Sequence, residues 1–112
     1  MSDAGALDGF AGKCVVMWTS YVSSPLFEVA WRKLETTLEG KRVQFEKLDG
    51  AAPDNKAART ALWALSGSRT YPQVFCDQGD GLKFVGDMDT IQELLDGGGF
   101  DAIFSKFIPS NN

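Results

Sequence analysis

The sequence predicts an α/β fold: one four-stranded mixed sheet with helices on both faces, in the order β-α-β-α-β-β-α-α. Three observations carry this. An apolar run, a helical repeat and an alternating run follow one another in the first half, the pattern of a right-handed strand-helix-strand unit with parallel strands. In the second half two short apolar runs flank a glycine-rich turn and must form an antiparallel hairpin. Two amphipathic segments then close the chain. At 112 residues, 44% hydrophobic and with three Trp, two Tyr and eight Phe, the chain suits a single domain with a real core.

Each element has its local reason. Cys14-Val15-Val16-Met17-Trp18 is continuously apolar, as a strand buried on both faces must be. Pro25 suits a first helical position, with Ser24 as N-cap, because proline's missing N–H is not needed there. Phe27, Ala30, Trp31, Leu34 and Leu38 then fall on one helical face, and Gly40 is the expected stop. Val43 and Phe45 alternate with Gln44 and Glu46, which predicts a half-buried strand from Val43 to about Leu48-Asp49. After Gly50-Ala51-Ala52-Pro53, with Asp54 or Asn55 as cap, Ala58, Ala61, Leu62 and Leu65 define the inner face of a second helix ended by Gly67. Gln73 to Cys76 and Leu82 to Val85 are the hairpin strands around the turn Asp77 to Gly81. A helix with Ile91, Leu94 and Leu95 follows, capped by Asp87 or Asp89. Gly97-Gly98-Gly99 breaks it before a last helix with Phe100, Ile103, Phe104 and Phe107. Residues 1–12 read as a flexible lead-in, 13–108 as the domain and 109–112 as a polar tail.

Composition excludes several function classes. Eleven basic against fifteen acidic residues give a net charge of -4, which argues against nucleic acid or an anionic membrane surface as partner. No apolar run approaches the ~20 residues of a membrane span, and the start Met1-Ser2-Asp3-Ala4-Gly5 has no secretion-signal character. The expected location is cytoplasmic. The absence of histidine removes Ser-His-Asp and Cys-His catalysis and imidazole metal sites. Cys14 and Cys76 cannot close a zinc site and are not a CxxC pair, so they read as small buried strand residues. No metal site is expected. The three Trp read as core or half-buried residues, and Asp77/Asp80 as solvated turn residues.

Thr70-Tyr71-Pro72-Gln73-Val74-Phe75 resembles the glutaredoxin segment around its cis-proline. Phe84-Val85-Gly86-Asp87-Met88-Asp89-Thr90-Ile91-Gln92-Glu93-Leu94 resembles the segment that holds the γ-glutamyl end of glutathione. The chain from 13 to 108 is thus similar to the thioredoxin fold in its glutaredoxin form. A glutaredoxin places its reactive cysteine between the first strand and first helix, where this chain has Tyr21-Val22-Ser23-Ser24-Pro25-Leu26. A serine hydroxyl cannot exchange with a disulfide, because that chemistry needs a thiolate. This loop, and the strand resembling Phe45-Glu46-Lys47-Leu48-Asp49, look like the Src-homology-3-binding glutamic-acid-rich-like family, a branch without the active-site cysteine. That family's proline-rich ligand has no counterpart here, since no PxxP is present, and Src-homology-3 binding is not carried over.

The resemblance implies a non-catalytic binding or adaptor protein acting on an unidentified protein partner through the old active-site groove. The candidate groove residues are Tyr21, Ser23, Ser24, Tyr71, Pro72, Met88, Asp89 and Thr90. It requires no cofactor, and glutathione binding is expected to be weak. The rival readings are a glutathione-dependent oxidoreductase or transferase-like enzyme, and a pure adaptor with a vestigial groove. The glutaredoxin strand order would also place Cys14 opposite Cys76, about four residues from the groove.

Overall fold

The structure is a computed structural model and describes residues 5–21 and 24–109. The sheet consists of β1 (Cys14–Trp18), β2 (Glu46–Asp49), β3 (Gln73–Asp77) and β4 (Leu82–Gly86), in the order β2-β1-β3-β4. β2 is parallel to β1, β3 is antiparallel to β1, and β4 is antiparallel to β3. The helices are α1 (Pro25–Gly40), α2 (Lys56–Ser66), α3 (Met88–Gly97) and α4 (Phe100–Phe104), with short 3-10 turns at Asp8–Phe10, Pro53–Asn55 and Ser105–Phe107. The element order and the mixed four-stranded sheet agree with the sequence expectation.

Strand alternation builds two cores. Cys14, Val16, Val74 and Cys76 face α1, α3 and α4, where they meet Leu34, Leu38, Ile91, Phe100 and Phe104. Val15, Met17 and Phe75 face the other way, against Leu48 and the buried Leu62 of α2. Burying one such leucine is worth about 1.5–3 kcal/mol, so two filled faces hold the central strands firmly. β3 is buried throughout and β1 from Cys14 to Met17, with Trp18 half-buried at its end.

Several local expectations are corrected. β2 begins at Glu46, not Val43. The Val43 N–H donates to the Leu38 carbonyl (3.0 Å) and the Gln44 N–H to the Phe107 carbonyl (2.7 Å). These backbone groups are therefore committed to the end of α1 and to the C-terminal turn, and do not pair with β1. α1 ends at Gly40 as expected, but the left-handed residue that follows is Arg42, at φ 63°, not the glycine. Leu65 is 45% exposed, because the inner stripe of α2 runs through Ala58, Leu62 and Trp63. Residues 5–12, read as a lead-in, form a turn whose Leu7 and Phe10 pack against the α2-side core. Asp77 is not a solvated turn residue. It is buried at the end of β3, and its carboxylate accepts from the N–H groups of Gly12 (2.9 Å), Gly79 (2.7 Å) and Gly81 (3.1 Å).

Candidate functional site

The topology gathers three segments at one end of the sheet. Met17 of β1 lies opposite Gln73 of β3, and Val74 lies opposite Gly86 of β4. The loop after β1, the approach to β3 and the β4–α3 connection therefore share that end. Tyr21, Ser24, Tyr71, Pro72, Met88, Asp89 and Thr90 all belong to these segments. Ser23 and its neighbour Val22 lie outside the described residues.

On the first segment, Trp18 ends β1 and the chain turns sharply. The Ser20 N–H donates to Asp49 Oδ1 (3.0 Å) and the Tyr21 N–H to Thr19 Oγ1 (3.1 Å). Partial burial works to raise the Asp49 carboxyl, but the hydrogen bonds from Ser20 and Ala51 outweigh it and hold the group below the usual range. Tyr21 is left 69% exposed. Ser24 is the N-cap of α1, with extended backbone at φ -145° and ψ 120° and Pro25 at the first helical position. Its carbonyl accepts from the Phe27 N–H (3.1 Å), while its hydroxyl makes no capping bond. The hydroxyl sits, without a capping bond, at the positive end of a 16-residue helix.

The second segment is held by side chains. Gln73, fully buried, donates through Nε2 to the carbonyls of Ser68 (3.0 Å) and Thr70 (2.7 Å), fixing the approach to β3. The Tyr71–Pro72 bond is cis, and Pro72 is buried. Tyr71 is half-buried, with its ring edge-on to Phe27 at 6.0 Å and to Trp63 at 6.2 Å. Burial pushes its phenol pKa up, and the nearby Arg59 opposes this. The hydroxyl end of Tyr71 lies against Gly50, where any side chain would collide with the ring. Tyr71 thus ties α1, α2 and the β2–α2 connection together.

At the third segment Asp87 is the N-cap of α3. Its carboxylate accepts from the Thr90 N–H (3.0 Å) and hydroxyl (3.2 Å). Thr90 packs so closely on Gly86 that a Cβ there would overlap it. Asp89 is exposed. Met88 is corrected: its side chain is buried in the core beside Ile91, so only its main chain can face a ligand.

Sequence reasoning missed one part of the site. Trp18, Phe27, Glu28, Trp31 and Arg32 join Tyr21 and Ser24 around an open pocket of about 350 Å³. Trp18 and Trp31 stack at 5.3 Å with their planes 16° apart. Both are half-buried, within the sequence expectation, but their pairing at a pocket rim is not legible from helical and strand period. Glu28 and Arg32 close the rim as an exposed pair at 3.3 Å. The pocket shares Tyr21 and Ser24 with the predicted groove but does not include Tyr71, Pro72 or residues 88–90. Among the described residues no cluster of three or more Cys, Asp or Glu could hold a metal ion, and no helix is long and apolar enough to cross a membrane.

No family model matches the chain, and no curated protein matches it. Solved structures do. A buckwheat glutaredoxin in complex with glutathione is 19% identical, superposes with a TM-score of 0.70 and covers 96% of each chain. A wheat glutaredoxin is 28% identical, with a TM-score of 0.66, covering 96% of this chain and 92% of its own. The Candida albicans actin interacting protein Aip5 is 13% identical, with a TM-score of 0.63, covering 83% and 89%. The sheet order, the helices on both faces and these superpositions together give the chain a glutaredoxin-like thioredoxin fold.

Proposed function

We propose that this chain is a non-catalytic glutaredoxin-like binding protein that works through the groove at the Trp18 end of its sheet. The observation that carries this reading is Ser24 at the N-cap of α1. A glutaredoxin holds its thiolate between the first strand and first helix, and a hydroxyl there cannot take part in thiol-disulfide exchange. The chain's two cysteines, Cys14 and Cys76, are buried at the other end of the strands. The Ser-rich loop is also what supports the finer likeness to the Src-homology-3-binding glutamic-acid-rich-like family.

The ligand class is an extended γ-glutamyl peptide. The Tyr71 main chain offers strand-like pairing, and the exposed Asp89 in the first turn of α3 offers a carboxylate and the positive helix end for terminal charges, while the Thr90 N–H is taken by the Asp87 cap. No Lys or Arg stands at 19–21, where Thr19, Ser20 and Tyr21 are found, so a glycyl carboxylate loses its charged partner. Such a bond is worth about 1.5–3 kcal/mol, roughly ten- to a hundredfold in affinity. Dissociation constants on the order of millimolar follow, about 4 kcal/mol of binding. An amide-shift titration with reduced glutathione tests this: shifts confined to Tyr71, Met88, Asp89 and Thr90 support the groove, and shifts scattered over the surface refute it. Glutathione-dependent disulfide reduction should not exceed the protein-free rate; turnover abolished by Cys14→Ser or Cys76→Ser would establish the enzyme reading instead.

A second reading, a cytoplasmic protein-interaction adaptor, is favoured by a different observation. Tyr21, Leu26 and Val29 are 69%, 78% and 67% exposed within two turns of chain around the start of α1. Adjacent exposed apolar side chains mark interaction surfaces. The name of the similarly folded Aip5 points the same way.

A further inference from the structure

Cys14 opens β1, and Cys76 stands directly opposite it on β3. The next pair along the ladder, Lys13 and Asp77, is joined by the Asp77 N–H donating to the Lys13 carbonyl at 3.0 Å. Antiparallel pairs alternate between bonded and non-bonded, so Cys14 and Cys76 form a non-bonded pair, where Cα atoms approach to about 4.5 Å. That separation lies inside the ~4.4–6.8 Å span of disulfide-linked residues. Both side chains point into the same core face, and their sulfurs are 3.5 Å apart. The two are 1% and 3% exposed, yet Cys14 forms part of the wall of a pocket of about 400 Å³ at this end of the sheet, between Lys13, Phe45, Glu46 and Lys106. A space of that size admits water and small solutes such as a hydroperoxide.

We propose that Cys14 and Cys76 are a redox-modifiable dithiol, which a small hydroperoxide converts to a cross-strand disulfide. One thiol gives up its proton and its sulfur attacks a peroxide oxygen. The O–O bond breaks, leaving a sulfenic acid, and the departing oxygen takes the thiol proton and leaves as water from hydrogen peroxide or as the alcohol from an alkyl hydroperoxide. The second sulfur attacks the first, the S–O bond breaks, the S–S bond forms and water leaves. The two sulfurs lose two electrons and the peroxide gains them. The hydrogen bond from Cys76 and burial push the Cys14 thiol well up, so little thiolate is present at neutral pH and the oxidation is slow. The pair lies about four residues, ~13 Å, from the groove end of β1, so this site stands or falls independently of glutathione binding there.

The test is to expose the folded full-length chain to hydrogen peroxide, unfold it in an alkylating reagent and weigh it. The expected product has lost two hydrogens, takes up no alkyl group and regains two alkylation sites after dithiothreitol. Cys14→Ser and Cys76→Ser should each abolish the internal cross-link; Cys14→Ala serves if the serine variant does not fold. Two thiols still alkylated after exposure, sulfinic acids on both sulfurs, or disulfide-linked dimers would each overturn the proposal.

Discussion

Ser24→Cys places a thiol at the N-terminus of α1, where the helix can acidify it, and the size of the effect can be worked out. Ser24 has extended backbone, so a cysteine side chain fits without strain, and no capping bond is lost because the hydroxyl makes none. The end of a helix stabilises an adjacent anion by about 0.3–1 kcal/mol. At 1.36 kcal/mol per unit, this lowers a cysteine from about 8.5 to roughly 8. Thiolate at pH 7 then rises from about 3% to about 10%. No cation adds to this: Arg32 is spent on Glu28, whose carboxylate lies one turn into α1 and opposes the shift. The variant should therefore form a mixed disulfide with oxidised glutathione, but less than about twofold faster than an unperturbed thiol, because the lower pKa also weakens the thiolate as a nucleophile. The assay is the pH profile of alkylation, with the unsubstituted chain reporting the two buried cysteines. A midpoint at or above 8.5, or no glutathione adduct, would refute the placement of Ser24 at an anion-stabilising helix end.

Gly50→Ala should destabilise by about 1–3 kcal/mol, because the new methyl meets the Tyr71 ring; a denaturant midpoint equal to that of the parent would contradict the packing described. Leu62→Ala should cost about 2–5 kcal/mol and Leu65→Ala less than about 0.5 kcal/mol, since only Leu62 is buried. Equal losses in the two variants, read from urea unfolding, would restore Leu65 to the inner face of α2. The N–H of Gly12, aided by those of Gly79 and Gly81, holds the Asp77 carboxyl below its usual value. Its contribution to stability is therefore present above the unfolded value near ~3.9 and is lost as the pH falls through the lower folded value. Asp77→Asn should weaken the fold at neutral pH and flatten the acid limb of the stability curve; an unchanged acid limb would show that the carboxylate is not anchored in this way.

The parts of the fold that could be read in the sequence are those governed by one strong local term. The apolar run of β1, the helical period of α1 and the glycine turn after Asp77 each have a single low-energy solution. The Cys14–Cys76 pairing was accessible through the glutaredoxin strand order, because strand alternation allows few registers once the buried face is known. What was missed depends on distant partners. Val43 and Gln44 have strand-like alternation, but their N–H groups are claimed by Leu38 and Phe107, and nothing local announces that claim. Met88 has the spacing of a groove residue and the side chain of a core residue, and burial won. Trp18 and Trp31 fit the apolar stripes of β1 and α1, yet the bend at Ser20, set by Asp49, leaves the pair at the rim of a pocket.

The Trp18–Trp31 stack gives the molecule a built-in optical reporter. Two indoles 5.3 Å apart and nearly parallel couple their ultraviolet transitions, so their circular dichroism depends on mutual orientation and not merely on the presence of the rings. Trp63 lies on α2, on the other side of the sheet, with Arg59 at 4.9 Å from its ring and Tyr71 at 6.2 Å, and contributes a background separate from the stacked pair. A guest entering beside Tyr21 would alter the exciton signal before it altered anything else, and occupancy of that side of the molecule could be followed without a label.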